Sequence, residues 1–260
     1  MLSKYEPAVG ERRHGGVWWP HDEPEVPNRP PVVDVVIPAL NEERSLPKVL
    51  DALPDPWIRT VVVVDNGSSD ATADVARRGG AEVVDEPQRG YGSACLSGIA
   101  RLRRDPPDIV VFLDADYSDV PEELPRLVGP IIDSDVEMVI GSRTIGAQQQ
   151  GALLPQAIAG NKLACLIIEF MYGYRFSDLG PFRAIEWSVL ERLDMADRDF
   201  GWTVEMQAKA ARQEVSSVEV PVSYRKRIGV SKVTGTIRGS VMAGYKILYT
   251  LGKMFVRDQL

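Results

Sequence analysis

Three clusters of acidic and amide side chains stand directly after runs of apolar residues, and one of them states its chemistry most plainly. Ile109-Val110-Val111-Phe112-Leu113 runs straight into Asp114-Ala115-Asp116. The five apolar residues, β-branched and aromatic, read as a strand buried on both faces. Two carboxylates then stand at its carboxyl end with one small residue, Ala115, between them. Carboxylates there are costly to desolvate without a positive partner. A hard divalent cation already carrying phosphate oxygens is the partner that fits. The tripeptide alone is common by chance, and two solvated acids in a polar loop is its plain alternative. The surroundings decide. Pro38-Ala39-Leu40-Asn41-Glu42-Glu43 closes one apolar run, and Asp65-Asn66-Gly67-Ser68-Ser69-Asp70 closes another.

Positioning three such clusters together requires a sheet. Residues 32–37 and 60–64 read as strands, followed by helices to about Leu53 and to Arg78, the second stopped by Gly79-Gly80. Residues 82–85 form a short third strand, and Gly90-Tyr91-Gly92 opens a helix with Cys95, Ile99 and Leu102 on one face. After the acidic tripeptide come a helix at 121–128, a strand at 136–140 running into Gly141-Ser142-Arg143, and a glutamine-rich loop at 144–156 expected to be mobile. A helix at 157–172 is expected to bury Leu163, Ile167 and Phe170 or Met171. Residues 177–183 read as a turn with a short extended piece, 202–212 as a helix and 215–222 as a strand. A last helix at about 237–256 sets Val241, Tyr245, Leu248, Leu251 and Met254 or Phe255 on one side. Alternating strands and helices predict the α/β class, a mostly parallel central sheet with helices on both faces. In such sheets ligands bind outside the carboxyl ends of the strands. All three polar clusters sit at such ends.

Composition narrows the partners. At 260 residues the chain has ample material for a core. A formal net charge of −7 argues against a general nucleic-acid binder, while leaving room for a local basic patch. Cys95 and Cys165 fall in apolar helical patterns and read as reduced core residues. His14 and His21 are the only histidines, so the globular part contains neither a histidine triad nor a histidine-rich zinc site. Residues 1–31 carry Pro7, Pro20, Pro24, Pro27, Pro30 and Pro31. That density predicts an extended or disordered arm without regular pairing, which Trp18-Trp19 would pin to the surface. No signal peptide and no run of about 20 apolar residues is present, which predicts a cytoplasmic protein. A glycine-rich dinucleotide turn and a P-loop are both missing from the strand ends, which sets dehydrogenase and P-loop chemistry aside.

The set that is present resembles family 2 glycosyltransferases of the GT-A fold. The carrying residues are Val36-Ile37-Pro38-Ala39-Leu40-Asn41-Glu42-Glu43, Val63-Val64-Asp65-Asn66-Gly67-Ser68-Ser69-Asp70 and Asp114-Ala115-Asp116, in matching order and separation. The resemblance is greatest to the dolichyl- or polyprenyl-phosphate mannose and glucose synthases. Gly90-Tyr91-Gly92, Gly141-Ser142-Arg143, Gly180-Pro181-Phe182-Arg183-Ala184, Phe200-Gly201-Trp202-Thr203-Val204-Glu205 and Arg227-Ile228-Gly229-Val230-Ser231-Lys232 extend it. It covers about residues 32–235, leaving 1–31 as an arm and 236–260 as an amphipathic helix.

The resemblance implies a donor that is a UDP- or GDP-linked sugar. Pro38, Leu40, Glu42, Val63 and Asp65 would hold its base and ribose, with Asp114 and Ala115 beside them. Asp114 would reach the ribose or a metal-bound water, and Asp116 would ligate Mg²⁺ or Mn²⁺ on the diphosphate. Arg143, Arg227 and Lys232 would offset phosphate charge. Plainer readings stand beside these: Glu42 favours a helix N-terminus, Arg143 makes a surface ion pair, and Arg225-Lys226-Arg227 is a solvated edge. Two positions depart from the group's pattern. Asn66 replaces a second aspartate, and Ser118-Asp119 stands where glutamine is common, both within reach of a metal shell.

The family inverts the anomeric carbon. A polyprenyl phosphate acceptor is already an anion and needs no general base, whereas a hydroxyl acceptor does. Glu205 and Asp178 are the candidate bases for that second case. The last helix either lies on the inner face of a membrane, with tyrosines and lysines near headgroups, or packs against the sheet or a partner subunit.

Overall fold

The computed structural model describes residues 16–17, 31–229 and 237–259, with side chains described over 31–229 and 244–256. His14, His21, Trp18-Trp19 and Lys232 lie outside the described residues. The elements run β1 (Gly16–Val17), β2 (Val33–Ala39), α1 (Leu46–Asp51), β3 (Thr60–Asp65), α2 (Thr72–Arg78), β4 (Glu82–Asp85), α3 (Tyr91–Leu102) and β5 (Ile109–Phe112). Then follow α4 (Leu124–Asp133), β6 (Met138–Ser142), α5 (Pro155–Tyr172), β7 (Arg183–Glu186), α6 (Trp187–Leu193), α7 (Trp202–Arg212), β8 (Ser217–Pro221) and α8 (Ile237–Gln259).

The strands form one sheet in the order β1-β8-β6-β7-β5-β2-β3-β4. All neighbours are parallel except β7, which runs antiparallel between β5 and β6. The sheet is covered on both faces, so its central strands are mostly apolar, with Asp34 on β2 buried against Arg59 and Arg183 buried at the start of β7. Alternate residues feed two cores. Val36, Val62, Val64, Val110 and Phe112 face one, with α3, α5, α7 and α8. Val35, Ile37, Val63 and Val111 face the other, with α1 and α4. Trp202, at the start of α7, meets Phe112 edge-on with ring centroids 5.9 Å apart. The burial of each such side chain contributes about 1.5–3 kcal/mol.

Several expectations are corrected here. The N-terminal arm does pair: Gly16–Val17 adds a parallel strand to β8. The stretch between Pro7 and Pro20 holds no proline, so its amides are free for a ladder. Helix α5 buries Ala164, Cys165 and Ile168, with Ile167 and Met171 only partly covered, while Leu163 and Phe170 face outward. Among the described side chains of α8 the buried ones are Thr250, Leu251 and Met254, and Tyr245, Leu248 and Phe255 are exposed, while the side chain of Val241 lies outside the described residues. The sequence reading places no helix over α6. Residues 144–151, expected to be mobile, are tied to the segment after β8. Tyr224 N–H donates to Ala147 O and Gln149 N–H to Tyr224 O, both at 2.8 Å. Lys226 N–H donates to Gln149 Oε1 at 2.8 Å. Cys95 and Cys165 are buried free thiols, as expected.

Candidate active site at the strand ends

Strands β2, β3 and β5 are parallel and in register, so their carboxyl ends deliver three loops to one edge. The first two loops hold each other. Asn41 N–H donates to Ser68 Oγ at 2.9 Å, and Ser69 N–H returns a bond to Asn41 Oδ1 at 2.7 Å. Glu42 N–H donates to Thr72 Oγ1 at 2.7 Å, and Ala71 N–H to Glu43 Oε2 at 3.0 Å. Much of the motif chemistry is therefore mutual positioning. Asp65 is half-buried and accepts the Ser68 N–H at 2.9 Å, closing a local turn.

A cavity of about 380 Å³ opens over these loops, lined by Pro38, Leu40, Glu42, Asp114, Ala115, Asp116 and Arg227 among others. Asn66, Arg89, Gly90, Tyr91, Asp199 and Phe200 complete its wall. Val63, expected there, is fully buried in the core because it points to the opposite face of β3. Asp65 and Arg143 are not among its lining residues either.

Asn66 explains its own departure from the pattern. Its Nδ2 donates to Glu86 O at 3.1 Å and to Gln88 O at 2.8 Å, and its Oδ1 accepts Gly90 N–H at 2.8 Å. Aspartate has no hydrogens for those two carbonyls. Asn66 thus latches the loop that carries Arg89 and Tyr91 instead of joining a metal shell. The glycines beyond it answer a close approach. A Cβ on Gly90 or Gly92 would lie 2.0 Å from Arg198 O or Asp197 O, so only glycine lets the 197–200 loop reach the cavity.

At the acidic tripeptide, Tyr91 OH donates to Asp114 Oδ1 at 3.0 Å. Burial, then the Asp114 charge, pushes the Tyr91 phenol upward, so it remains a donor. Burial, then the neighbouring Asp116, pushes Asp114 up to about 7. Asp116 is buried. Its Oδ1 accepts Ser118 N–H at 2.8 Å, and its Oδ2 meets Arg227 Nη2 at 2.8 Å. The same Arg227 nitrogen stands 3.6 Å from Glu42 Oε1. Tyr117, at φ 63°, turns the chain sharply after Asp116, and the Arg225 guanidinium caps its ring at 3.6 Å. Beyond the turn Asp119 is fully buried, and neither carboxylate oxygen has a hydrogen-bond partner. Burial, then the charges of Asp114 and Asp116, pushes Asp119 well up.

This excess of negative charge fits a divalent cation at Asp114 and Asp116. Among the described residues no group of three or more His, Cys, Asp or Glu side chains is placed to hold a metal. The protein therefore offers two carboxylates, and phosphate oxygens and water would complete the shell, as magnesium prefers.

A second chamber of about 330 Å³ shares Tyr91, Asp114 and Phe200 with the first. Its wall includes Arg143, Gly160, Asn161, Leu179, Pro181, Gly244 and Ile247, and among the described residues its charged lining is Asp114 and Arg143. Arg143 Nε and Nη2 donate to Asp178 Oδ2 and Oδ1 at 2.8 and 2.7 Å. Burial works against the Arg143 charge, but the Asp178 pair outweighs it and raises the guanidinium above its ordinary value. The guanidinium lies 5.1 Å from the centre of the Tyr224 ring.

Both candidate bases are thereby corrected. Asp178 is fully buried and committed to Arg143. Glu205 accepts Asp197 N–H at 2.7 Å and Ala196 N–H at 3.1 Å, and pairs with Lys209 at 2.9 Å. It holds the loop that lines the cavity. Asp197 extends this brace, accepting from Thr250 Oγ1 at 3.2 Å and standing 3.6 Å from Lys246 Nζ on α8.

Glu219 on β8 went unremarked in the sequence, yet it sets the Asp178 turn. It accepts Ser177 N–H at 2.9 Å, Ser177 Oγ–H at 2.9 Å and Asp178 N–H at 3.1 Å. Burial raises its carboxyl from 4.5 to about 7, against the opposing pull of those bonds. Between those values the native state holds more protons than the unfolded chain, so stability falls as pH rises. One such group contributes at most about 1.4 kcal/mol per pH unit. Glu219→Gln is expected to flatten that slope. Urea unfolding at pH 5, 6 and 7 would measure it, and profiles parallel to wild type would refute the assignment.

With this geometry in hand, comparisons place the chain among known proteins. Residues 34–175 match the model of glycosyl transferase family 2. An uncharacterized glycosyltransferase of Mycobacterium tuberculosis is 39% identical over 212 residues, covering 81% of this chain and 94% of the relative. The undecaprenyl-phosphate mannosyltransferase of Micrococcus luteus is 32% identical over 231 residues, covering 80% of this chain and 89% of the relative. Glucosyl-3-phosphoglycerate synthase from Mycobacterium tuberculosis, in its crystal structure with Mn²⁺, uridine diphosphate and glucosyl-3-phosphoglycerate, superposes with a TM-score of 0.69 at 21% identity. That match covers 92% of this chain and 86% of that one, and it extends the likeness to the GT-A fold. The acidic strand ends, the cavity over them and the matched stretch agree, and the chain belongs to glycosyl transferase family 2.

Proposed function

We propose that this glycosyltransferase moves a hexosyl group from a UDP- or GDP-linked sugar to a polyprenyl phosphate, with inversion at the anomeric carbon. The carrying observation is the second chamber, with its largely apolar wall and one guanidinium, meeting the donor cavity at Asp114. A lipid phosphate matches that wall in both its parts. The commitment of Asp178 and Glu205 to structural bonds agrees with it, since an anionic acceptor needs no base.

In this reading Pro38, Leu40 and Glu42 receive the nucleoside, and Arg89 and Arg227 face the diphosphate. Asp114 and Asp116 would hold the cation. There Mg²⁺ or Mn²⁺ would supply positive charge to stabilise the diphosphate as a leaving group. Asp178 engages Arg143 at Nε and Nη2, which leaves Nη1 for an acceptor phosphate oxygen. That oxygen attacks the anomeric carbon from the face opposite the diphosphate. The new C–O bond forms as the old one breaks, and the electron pair leaves with the nucleoside diphosphate. No proton moves, so the protein's work is alignment and charge balance. The second chamber also opens between α5 and α8, in keeping with peripheral contact at a membrane. Among the described residues no helix is long and apolar enough to cross one.

The test supplies labelled GDP-mannose or UDP-glucose, Mn²⁺ and undecaprenyl phosphate in detergent. Metal-dependent transfer of label into the lipid phase is the expected result. Transfer to phosphoglycerate or another soluble acceptor, with none to the lipid, would overturn the acceptor assignment.

A further inference from the structure

Helices α5 and α8 carry large apolar side chains on their outer faces. Phe170 is 86% exposed and Leu166 61%, with Leu163 beside them on α5, while Tyr245, Tyr249 and Phe255 stand out on α8. The opposite face of each helix already packs on the core, so these residues are surplus to the fold. A patch of this kind marks an interaction surface.

Charge identifies the occupant. Lys162 and Lys253 are exposed on the two helices. Among their described side chains the single acid is Glu169, and it is paired with Arg175 at 2.7 Å. The surface is therefore apolar, aromatic and basic, the complement of an anionic bilayer, where tyrosine and lysine place polar ends among headgroups. The gap between the helices supplies a second, separate observation. A Cβ placed on Gly160 or Gly244 meets no atom within 4 Å, and both residues line the chamber that reaches Arg143 and Asp114. The chamber is thus unfilled beside both glycines, where α5 and α8 bound it.

We infer that the outer faces of α5 and α8 dock on an anionic bilayer, and that the slot at Gly160 and Gly244 admits the acceptor's hydrocarbon chain sideways from it. The role of the slot rests on the lipid-phosphate reading above, whereas docking does not require it. Docking is tested by co-sedimentation with phosphatidylglycerol–phosphatidylcholine vesicles containing no polyprenyl phosphate. Wild type is expected to bind, and the double variant Leu166→Glu, Phe170→Glu to bind at least about tenfold more weakly, since each side chain gives up its burial. Calorimetric titration with nucleotide should match in the two proteins, which reports an intact fold. Wild type remaining in the supernatant would overturn docking. So would a dimer in ultracentrifugation that the double variant makes monomeric, because a second copy would then cover the face. Transfer in detergent without vesicle binding would sink docking alone. Vesicle binding without transfer to the lipid would sink the acceptor reading and the slot, leaving docking in place.

Discussion

Asp116→Asn is expected to lower transfer by about 10³-fold and to abolish metal-dependent donor binding. The side chain is buried and holds Ser118 N–H at 2.8 Å, a bond that asparagine keeps through its carbonyl oxygen. What it loses is the charge that, in the proposed mechanism, would retain a divalent cation against the diphosphate. A metal stabilises such a leaving group by several kcal/mol, and about 4 kcal/mol corresponds to that factor. Thermal unfolding should move little, which separates lost chemistry from lost structure. Calorimetry with UDP or GDP sugars, with and without Mn²⁺, reads the binding half of the claim. A variant within tenfold of wild type that still responds to metal would remove Asp116 from the metal shell.

Arg227→Met should act in two opposite directions. The Arg227 guanidinium stands 2.8 Å from Asp116 and 3.6 Å from Glu42, so it would contend with a metal ion bound there for one carboxylate. Donor phosphates would give the guanidinium a new partner and release Asp116. Nucleotide-free Mn²⁺ affinity is therefore expected to rise about tenfold in the variant, equivalent to about 1.4 kcal/mol, above the usual range for a part-exposed pair because Asp116 is buried. Transfer is expected to fall about 10²-fold, because a charge-assisted bond to phosphate is worth roughly 1.5–3 kcal/mol. Electron paramagnetic resonance of free Mn²⁺ measures the first effect, independent of turnover. Unchanged or weaker metal binding would show that Arg227 does not compete.

The sheet was legible where chemistry and burial agree. Apolar runs ending in Asp65 and Asp114 announce strands whose ends deliver the loops around the cavity, and their positions were read to within a residue or two. Antiparallel β7 was harder. It begins with Arg183, which is fully buried and whose guanidinium is answered by Gly180 O, Thr203 O and Gln207 Oε1 and by no carboxylate. Nothing in the residue type foretells that environment. Helix α5 misled for another reason. Leu163, Leu166 and Phe170 on one side compete with Ala164, Cys165 and Ile168 on the other, so no single stripe marks the core. At the site, Val63 and Val64 are indistinguishable by composition, and only strand phase settles which way each points. Glu205 and Asp178 stand in motif-like stretches because they brace loops, a role that leaves the same sequence signal as catalysis.

The placement of β7 also governs how the chain assembles as it leaves the ribosome. Strands β4, β3, β2 and β5 are joined to one another by parallel pairings that can all form once Phe112 has emerged, leaving only the β5 edge waiting for β7. Strand β6 is different. It is buried along its whole length and pairs only with β7 and β8, both of which come later. Until Arg183–Glu186 arrives, the nascent chain carries an apolar strand with two open edges. That interval is when self-association competes most strongly with folding.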